Sequence, residues 1–282
     1  MVGPTRSGKT VLCRLLATQA DFHHFEEPIG LWNIGKKGRK DDARDADEAT
    51  PRVAHRIRTS MARRLAEVGA RRWVDDLPHH ALRIAFCLRV LPDARLIQVL
   101  RDGRESVPEM IGLWGADDSL RRVVTRKLAG RNWRSLHWPS LPGMALKWAG
   151  NQVSRRLLGR RRSWGPTVPG QVEFSRDRSI AQIAAFQWSV MATMSLDGVA
   201  QAPPEQVLTV RRENLLADPA GEAERIAAFV DTPAPPLRDL FTQRIGVGAS
   251  PKLKAMRESV PPEVWDEILP IIAPVQARLG YA

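Results

Sequence analysis

The stretch Gly3-Pro-Thr-Arg-Ser-Gly-Lys-Thr10 decides the fold of this chain. It fits the pattern G-x-x-x-x-G-K-T, in which backbone N–H groups and a helix N-terminus bind phosphate oxygens while lysine and a hydroxyl add side-chain donors. Apolar residues follow at helical spacing, namely Val11, Leu12, Leu15 and Leu16. The stretch therefore predicts a phosphate-binding loop (P-loop) that opens a helix, without identifying the group that is transferred.

A P-loop normally follows a buried strand, yet only Met1 and Val2 precede this one. The first strand is therefore either very short or begins before the given start, and we favour the second interpretation.

Downstream patterns alternate between strands and helices. The apolar run 96–100, broken only by Gln98, predicts a buried parallel strand, and shorter strands are predicted at 73–74 and 207–210. Helices are predicted at 53–68, 81–91 and 180–196, and another begins at Asp218-Pro219. The order indicates an α/β fold of three layers, with a central, mostly parallel sheet and helices on both faces. We interpret 1–282 as a single domain.

A change of composition marks an insertion in that domain at about 119–171. Arg, Trp, Gly and Pro dominate this basic, Trp-rich segment, which contains Trp133, Trp138, Trp148 and Trp164. The whole chain carries a formal net charge of +12 and a pI near 10.7, so we expect an anionic partner. The basic insertion is a candidate for contact with an anionic surface, and no specific nucleic acid is predicted.

The two cysteines, Cys13 and Cys87, lie in apolar runs, which predicts buried thiols in a reducing compartment. No apolar stretch approaches the roughly 20 residues that span a bilayer. We therefore expect a cytoplasmic protein, with a peripheral position at the membrane as the alternative.

The loop resembles a known family. Arg6, Ser7, Gly8 and Thr10 match the 5′-phosphosulfate loop, P-[KR]-S-G-T-T, of sulfotransferases that use 3′-phosphoadenylyl sulfate (PAPS). The chain departs from this pattern at Thr5, where the family often has proline, and at Lys9, where it often has threonine. Lys9 favours a kinase instead.

A second match favours the sulfotransferases. The segment 92–106, PDARLIQVLRDGRES, resembles the family's 3′-phosphate region, which implies that Arg101 holds the 3′-phosphate of the donor. Arg101 follows the predicted strand 96–100, and ligands of open α/β sheets bind beyond the carboxyl ends of strands. The family commonly has a serine eight residues after this arginine, whereas this chain has Glu109. Either Glu109 points away, Ser106 substitutes, or the donor site is altered.

Weaker matches extend the resemblance along the chain. Residues 73–78 resemble W-h-[DE]-K-[ST]-P, where h is apolar, with Asp76 replacing lysine. Residues 210–219 resemble h-R-Y-E-D-L-h-x-[DN]-P, with Arg212 replacing tyrosine. The stretch 246–254 is similar to the glycine and lysine segment that wraps the 3′ side of the donor, and 164–170 resembles a segment of bacterial members. The resemblance implies a bacterial PAPS-dependent sulfotransferase.

The resemblance implies these donor contacts: Gly3, Thr5, Arg6, Ser7, Gly8, Lys9, Thr10, Arg101, Ser106, Arg212, Gly248, Lys252 and Lys254. Arg6 and Lys9 are also expected to stabilise the transferring group. Sulfuryl transfer needs a base for the proton of a hydroxyl or amine acceptor. Glu27 is the first candidate because bacterial members often carry a glutamate before proline there, and His24 is the second. Asp75 and Asp76 are the third option.

Two other functions remain open. A small-molecule kinase would use Lys9 on phosphates and Thr10 with Asp75 or Asp76 on magnesium. A basic polyanion-binding protein would use the insertion. Because adjacent histidine pairs cannot face one ion, we predict no metal site. The acceptor is expected to be a small molecule, a carbohydrate or a lipid.

Overall fold

Two pairs of parallel strands form the centre of the fold. A computed structural model of the chain describes residues 1–36, 38–115, 164–245, 255 and 258–281. Strand β1 (Phe22–His24) pairs with β2 (Arg72–Val74), and β3 (Leu96–Leu100) pairs with β4 (Val207–Arg211). The α/β prediction is confirmed, and the strand predicted at 96–100 coincides with β3.

A single residue, Val2, lies between the two strand pairs. Its N–H donates to the Ile97 carbonyl at 2.9 Å, and its own carbonyl accepts from Val99 at 3.0 Å, which makes a parallel bridge opposite Gln98. The Met1 amino group donates to the Asp75 carbonyl, just beyond β2, at 2.7 Å. The strand before the P-loop is thus a single bridging residue in the described structure.

Eleven α-helices of the described residues surround these strands: α1 (Lys9–Leu16), α2 (Ile29–Trp32), α3 (Pro51–Val68), α4 (Ile84–Val90), α5 (Gly103–Gly115), α6 (Gln171–Phe174), α7 (Ile180–Val199), α8 (Arg212–Ala217), α9 (Pro219–Phe229), α10 (Ala234–Ile245) and α11 (Pro262–Leu279). Short 3₁₀ helices lie at Ala46–Glu48, Pro78–Leu82, Ser175–Asp177 and Pro204–Gln206. No helix in the described ranges has the length and apolar character that a bilayer span requires.

Local sequence signals explain several boundaries. Thr50 caps α3 through a hydrogen bond from the Val53 N–H, and the Asp218 carboxylate accepts from Gly221 at the start of α9, as predicted. The single helix predicted at 81–91 is wrong, because a 3₁₀ helix ends at Leu82 and α4 begins at Ile84. Arg83 separates them with a φ of −152°, which is not helical.

Alternate side chains of β3 pack against helices on opposite faces. Ile97 and Val99 belong to a core with residues of α1, α9 and α10. Gln98 points the other way, where its amide donates to Ser195 of α7 at 3.1 Å, and Leu100 packs with residues of α5, α7 and α11. All five β3 residues are buried, as expected for a strand covered on both faces. Cys13 and Cys87 are buried free thiols, as predicted.

A buried ion pair lies at the end of β2. The Asp75 carboxylate accepts from the indole N–H of Trp32 at 3.0 Å and of Trp73 at 2.8 Å, and it lies 2.5 Å from Nε2 of His80. Burial opposes protonation of His80, but Asp75 and Cys87 outweigh it and raise the pKa of His80 to about 9. Burial likewise opposes ionisation of Asp75, yet His80 holds the pKa of this carboxyl well below its ordinary value.

We expect His80→Gln to lower the free energy of unfolding at pH 7 by about 3 kcal/mol, because it leaves a buried carboxylate without its cation. The His80 pKa is raised in the folded state, so this stabilisation is complete below pH 6.5 and is lost as the pH rises through about 9. Urea unfolding of both proteins from pH 6 to pH 10 measures the difference, which should narrow above pH 8. A difference that is constant across this range would contradict a charged His80.

Candidate active site

The turn from Gly3 to Gly8 has the backbone that the P-loop motif predicts. Gly3 has a φ of 121°, and a Cβ there would lie 2.3 Å from the carbonyl oxygen of Val99, so only glycine fits against β3. Gly8 has a φ of 108° and immediately precedes α1, whose first N–H groups lack partners within the helix. A helix start of this kind favours an anion.

The Lys9 side chain turns back into the loop. Its ammonium donates to the carbonyls of Gly3 at 3.0 Å and Pro4 at 2.5 Å and to the Ser7 hydroxyl at 3.2 Å. Burial lowers the pKa of Lys9 to about 8, although the Asp76 carboxylate works in the opposite direction. Lys9 is thus a buried cation that titrates near neutral pH.

Thr5 and Ser7 are both buried. The Thr5 hydroxyl contacts the Met191 sulfur in α7 at 3.3 Å, so a donor contact by Thr5 would have to come from its backbone.

Asp76 joins Thr10 and His24 at the start of the loop helix. The Thr10 hydroxyl donates to one carboxylate oxygen, and Nε2 of His24 lies 3.0 Å from the other. Burial raises the pKa of Asp76, but the hydrogen bonds from His24 and Thr10 outweigh it and lower that pKa. The arrangement holds the His24 ring against a carboxylate, with 6% of its side chain exposed.

Cys13 lies next to this group. Ligand atoms of Cys13, His24 and Asp76 are within 4.8 Å of one another, although they are distant in sequence. Burial strongly raises the pKa of the Cys13 thiol, which disfavours the thiolate that a metal would need. The absence of a metal site therefore stays a prediction. Cys13, His24 and Asp76 are the residues at which a metal-binding measurement would test it.

Glu26 and Glu27 are exposed beyond β1. Glu26 forms a surface ion pair with Arg14 at 2.9 Å. Glu27 has a φ of 42°, in the left-handed region, and its charge reaches Lys9 electrostatically. Glu27 thus lies near the loop, but it is less enclosed than His24.

Arg101 lies at the carboxyl end of β3 and touches the P-loop. One terminal guanidinium nitrogen donates to the Arg6 carbonyl at 3.0 Å and to Glu109 at 2.7 Å. Its Nε and other terminal nitrogen each donate to Glu105 at 3.2 Å. The two predicted anchors, loop and strand tip, therefore meet at one place. Sequence reasoning overlooked Glu105, although its spacing of four residues from Arg101 was a usable signal.

Glu109 points toward Arg101 and Arg6, so the expectation that it could point away is wrong. Its second oxygen accepts from Nε of Arg6 at 2.6 Å. Arg6 itself has a φ of 68°, a strained value for a residue with a side chain. The Ser106 hydroxyl is fully buried and has no hydrogen-bond partner among the described residues.

Arg212 begins α8 beside the loop. Its Nε is buried and finds no hydrogen-bond acceptor in the described part of the chain, and burial and the Arg101 guanidinium lower its pKa. A Cβ on Gly8 would lie 3.2 Å from an Arg212 nitrogen. A small pocket opens there, lined by Ser7, Gly8, Val11, Leu12, Arg212, Leu215, Leu216 and Ile245. The apolar residues of this pocket could not be predicted as site residues, because their spacing in the sequence is that of ordinary core residues.

The remaining predicted donor contacts, Gly248, Lys252 and Lys254, lie outside the described residues, as does most of the predicted insertion at 119–171.

Comparison with known proteins points to sulfotransferases. Residues 1–138 match the sequence profile described as "Sulfotransferase family". The fold is similar to the sulfotransferase domain from the curacin biosynthetic pathway, at a TM-score of 0.54 and 13% identity, over 100% of this chain and 96% of that one. It is also similar to sulfotransferase STF9 from Mycobacterium avium, at a TM-score of 0.50 and 13% identity, over 98% of this chain and 75% of that one. No curated protein matches the chain in sequence.

The profile covers the P-loop, the Asp75–Asp76 pair and the Arg101 strand tip, and the fold extends the likeness through the rest of the chain. The amino-terminal part of the chain is thus similar to the sulfotransferase family in sequence, and the fold is similar to that of two sulfotransferases.

Proposed function

We propose that the chain transfers a sulfuryl group from PAPS to a hydroxyl or amine acceptor. The contact between the Arg101 guanidinium and the Arg6 carbonyl, at 3.0 Å, carries the proposal. It places a strand-tip cation against a phosphate-binding loop, so one ligand with phosphates at both ends of a ribose could engage both. Such a ligand is a 3′-phosphorylated nucleotide.

The residues present fit such a donor. The P-loop backbone and the first N–H groups of α1 would hold the 5′-phosphosulfate. Arg101, Ser106 and Arg212 would hold the 3′-phosphate, and two of them carry buried polar atoms with no hydrogen-bond acceptor among the described residues. A phosphate would supply those acceptors.

When bound, PAPS supplies an activated sulfuryl group, and its S–O bond to the 5′-phosphate breaks as the acceptor attacks the sulfur. Lys9, held inside the loop by three oxygen contacts, would offset the charge that develops on the leaving phosphate. Arg6 would stabilise the transferring group from the loop surface, where 39% of its side chain is exposed.

We propose His24 as the general base. If Nε2–H donates to Asp76, as in dyads where a carboxylate orients an imidazole, Nδ1 is left to accept the acceptor's proton. Glu27, the first candidate from the sequence, is exposed and lacks this enclosure. The acceptor belongs to the small-molecule, carbohydrate or lipid classes, and we propose a cytoplasmic site of action.

One observation favours a second function. The hydrogen bond from Thr10 to Asp76 brings together the hydroxyl and carboxylate that hold magnesium in P-loop kinases. A small-molecule kinase is therefore the alternative, and the choice of donor distinguishes the two.

We expect 3′-phosphoadenosine 5′-phosphate (PAP) to raise the melting temperature of the protein in the presence of EDTA. Ligand at a hundred times its dissociation constant adds about 2.7 kcal/mol of stability. ATP should give a smaller shift, with or without magnesium, because it has no 3′-phosphate for Arg101. A larger shift with ATP that requires magnesium would support the kinase instead.

PAP binding should be linked to proton uptake at pH 8. The pKa of Lys9 is about 8 in the free protein, and a bound phosphate raises it, so about half a proton per site should be taken up. Calorimetry in two buffers of different ionisation enthalpy measures this uptake. Lys9→Met should abolish the Lys9 contribution, and an unchanged uptake in that variant would refute the assignment.

Once an acceptor is available, His24→Gln should lower kcat by about 10²–10⁴-fold, which is the usual contribution of a general base. Glu27→Gln is the matched control on the same segment and should lower kcat much less. Equal losses in both variants, or a greater loss with Glu27→Gln, would return the role of base to Glu27.

A further inference from the structure

Glu109 bridges two cations that belong to different elements. One carboxylate oxygen accepts from Arg101 at 2.7 Å, and the other lies 2.6 Å from both Nε and a terminal nitrogen of Arg6. Only 2% of the Glu109 side chain is exposed. A buried carboxylate thus joins the strand tip to the phosphate-binding loop.

These contacts engage the donors of Arg101 that would bind a phosphate. Its Nε and one terminal nitrogen donate to Glu105, and the other terminal nitrogen donates to Glu109 and to the Arg6 carbonyl. A phosphate gripped by two parallel hydrogen bonds from this guanidinium must therefore replace at least one carboxylate.

Of the two carboxylates, Glu109 is the one that a bound phosphate would have to displace. A phosphate reaching both Arg101 and the loop would occupy the space between Arg101 and Arg6, where Glu109 lies. Glu105 contacts Arg101 from the other side, with 35% of its side chain exposed, so water screens its charge. Two anions at the buried position repel each other strongly.

The cluster also explains why a carboxylate is held there. Arg212 adds a third guanidinium that interacts electrostatically with Arg101, Glu105 and Glu109. Without a bound anion, these cations repel one another, and Glu109 offsets that repulsion.

We propose that Glu109 is a resident counterion that an incoming phosphate must displace, and that it limits the affinity of the chain for phosphate at Arg101. This proposal rests on the proposed function only for the identity of the natural ligand, a 3′-phosphorylated nucleotide. The displacement of Glu109 itself requires only that a phosphate reach Arg101.

The test uses the full chain with Glu109→Ser, which opens space, and Glu109→Gln, which keeps the volume and removes the charge. Glu105→Gln is the matched control, because it removes a carboxylate from the same guanidinium without opening the bridge to Arg6. Inorganic phosphate is titrated into each protein while the melting temperature is followed, and calorimetry then measures PAP and adenosine 5′-phosphate binding.

We expect phosphate to stabilise both Glu109 variants more than the wild type and more than Glu105→Gln. PAP affinity should rise about tenfold or more in Glu109→Ser, equivalent to about 1.4 kcal/mol, while adenosine 5′-phosphate affinity changes little. If neither Glu109 variant responds to phosphate more strongly than the wild type, the counterion proposal is wrong. If the phosphate response is enhanced but PAP binds no better than adenosine 5′-phosphate, the counterion stands and the proposed donor fails.

Discussion

The site depends on how closely the P-loop lies against β3. Both the N–H and the carbonyl of Val2 form hydrogen bonds to β3. Gly3 then lies so close to the Val99 carbonyl that a single methyl group on Gly3 would collide with it. This contact fixes where the turn starts, and therefore where α1 begins and where its N–H groups point. Arg101 leaves the same strand two residues beyond Val99, so the loop and the strand tip are positioned by one piece of backbone.

Charge in the site is balanced within the protein. The chain has a net charge of +12, yet the site cations contact oxygens of the chain itself: Lys9 its loop carbonyls, and Arg6 and Arg101 the carboxylates of α5. At Lys9, Arg6 and Arg101, anion binding is therefore an exchange of partners, because each new hydrogen bond replaces an existing one. The affinity for an anion then depends on the free energy needed to displace the carboxylates of the chain from these cations.

Local sequence signals predicted the parts of the structure that local physics controls. The start of α1 after Gly8, the apolar run of β3, the cap of α9 and the position of Arg101 follow from short patterns, and the structure agrees with them. The pairing of His24 with Asp76 and the direction of Glu109 depend on contacts across 52 and 103 positions, to Asp76 and Arg6 respectively. No local pattern encodes such contacts, so the sequence ranked His24 only second among the base candidates, and its pairing with Asp76 became visible in the fold.

Asp75 and Asp76 are adjacent in sequence, but their side chains make contacts in different parts of the structure. The first carboxylate binds two indoles and an imidazole in the core, and the second faces Thr10 and His24 in the site. Position 76 is therefore where chemistry can diverge, even to the lysine of the resembling motif, while position 75 is tied to the scaffold. At this strand end, one peptide bond separates a carboxylate that contacts the site from a carboxylate that holds the core.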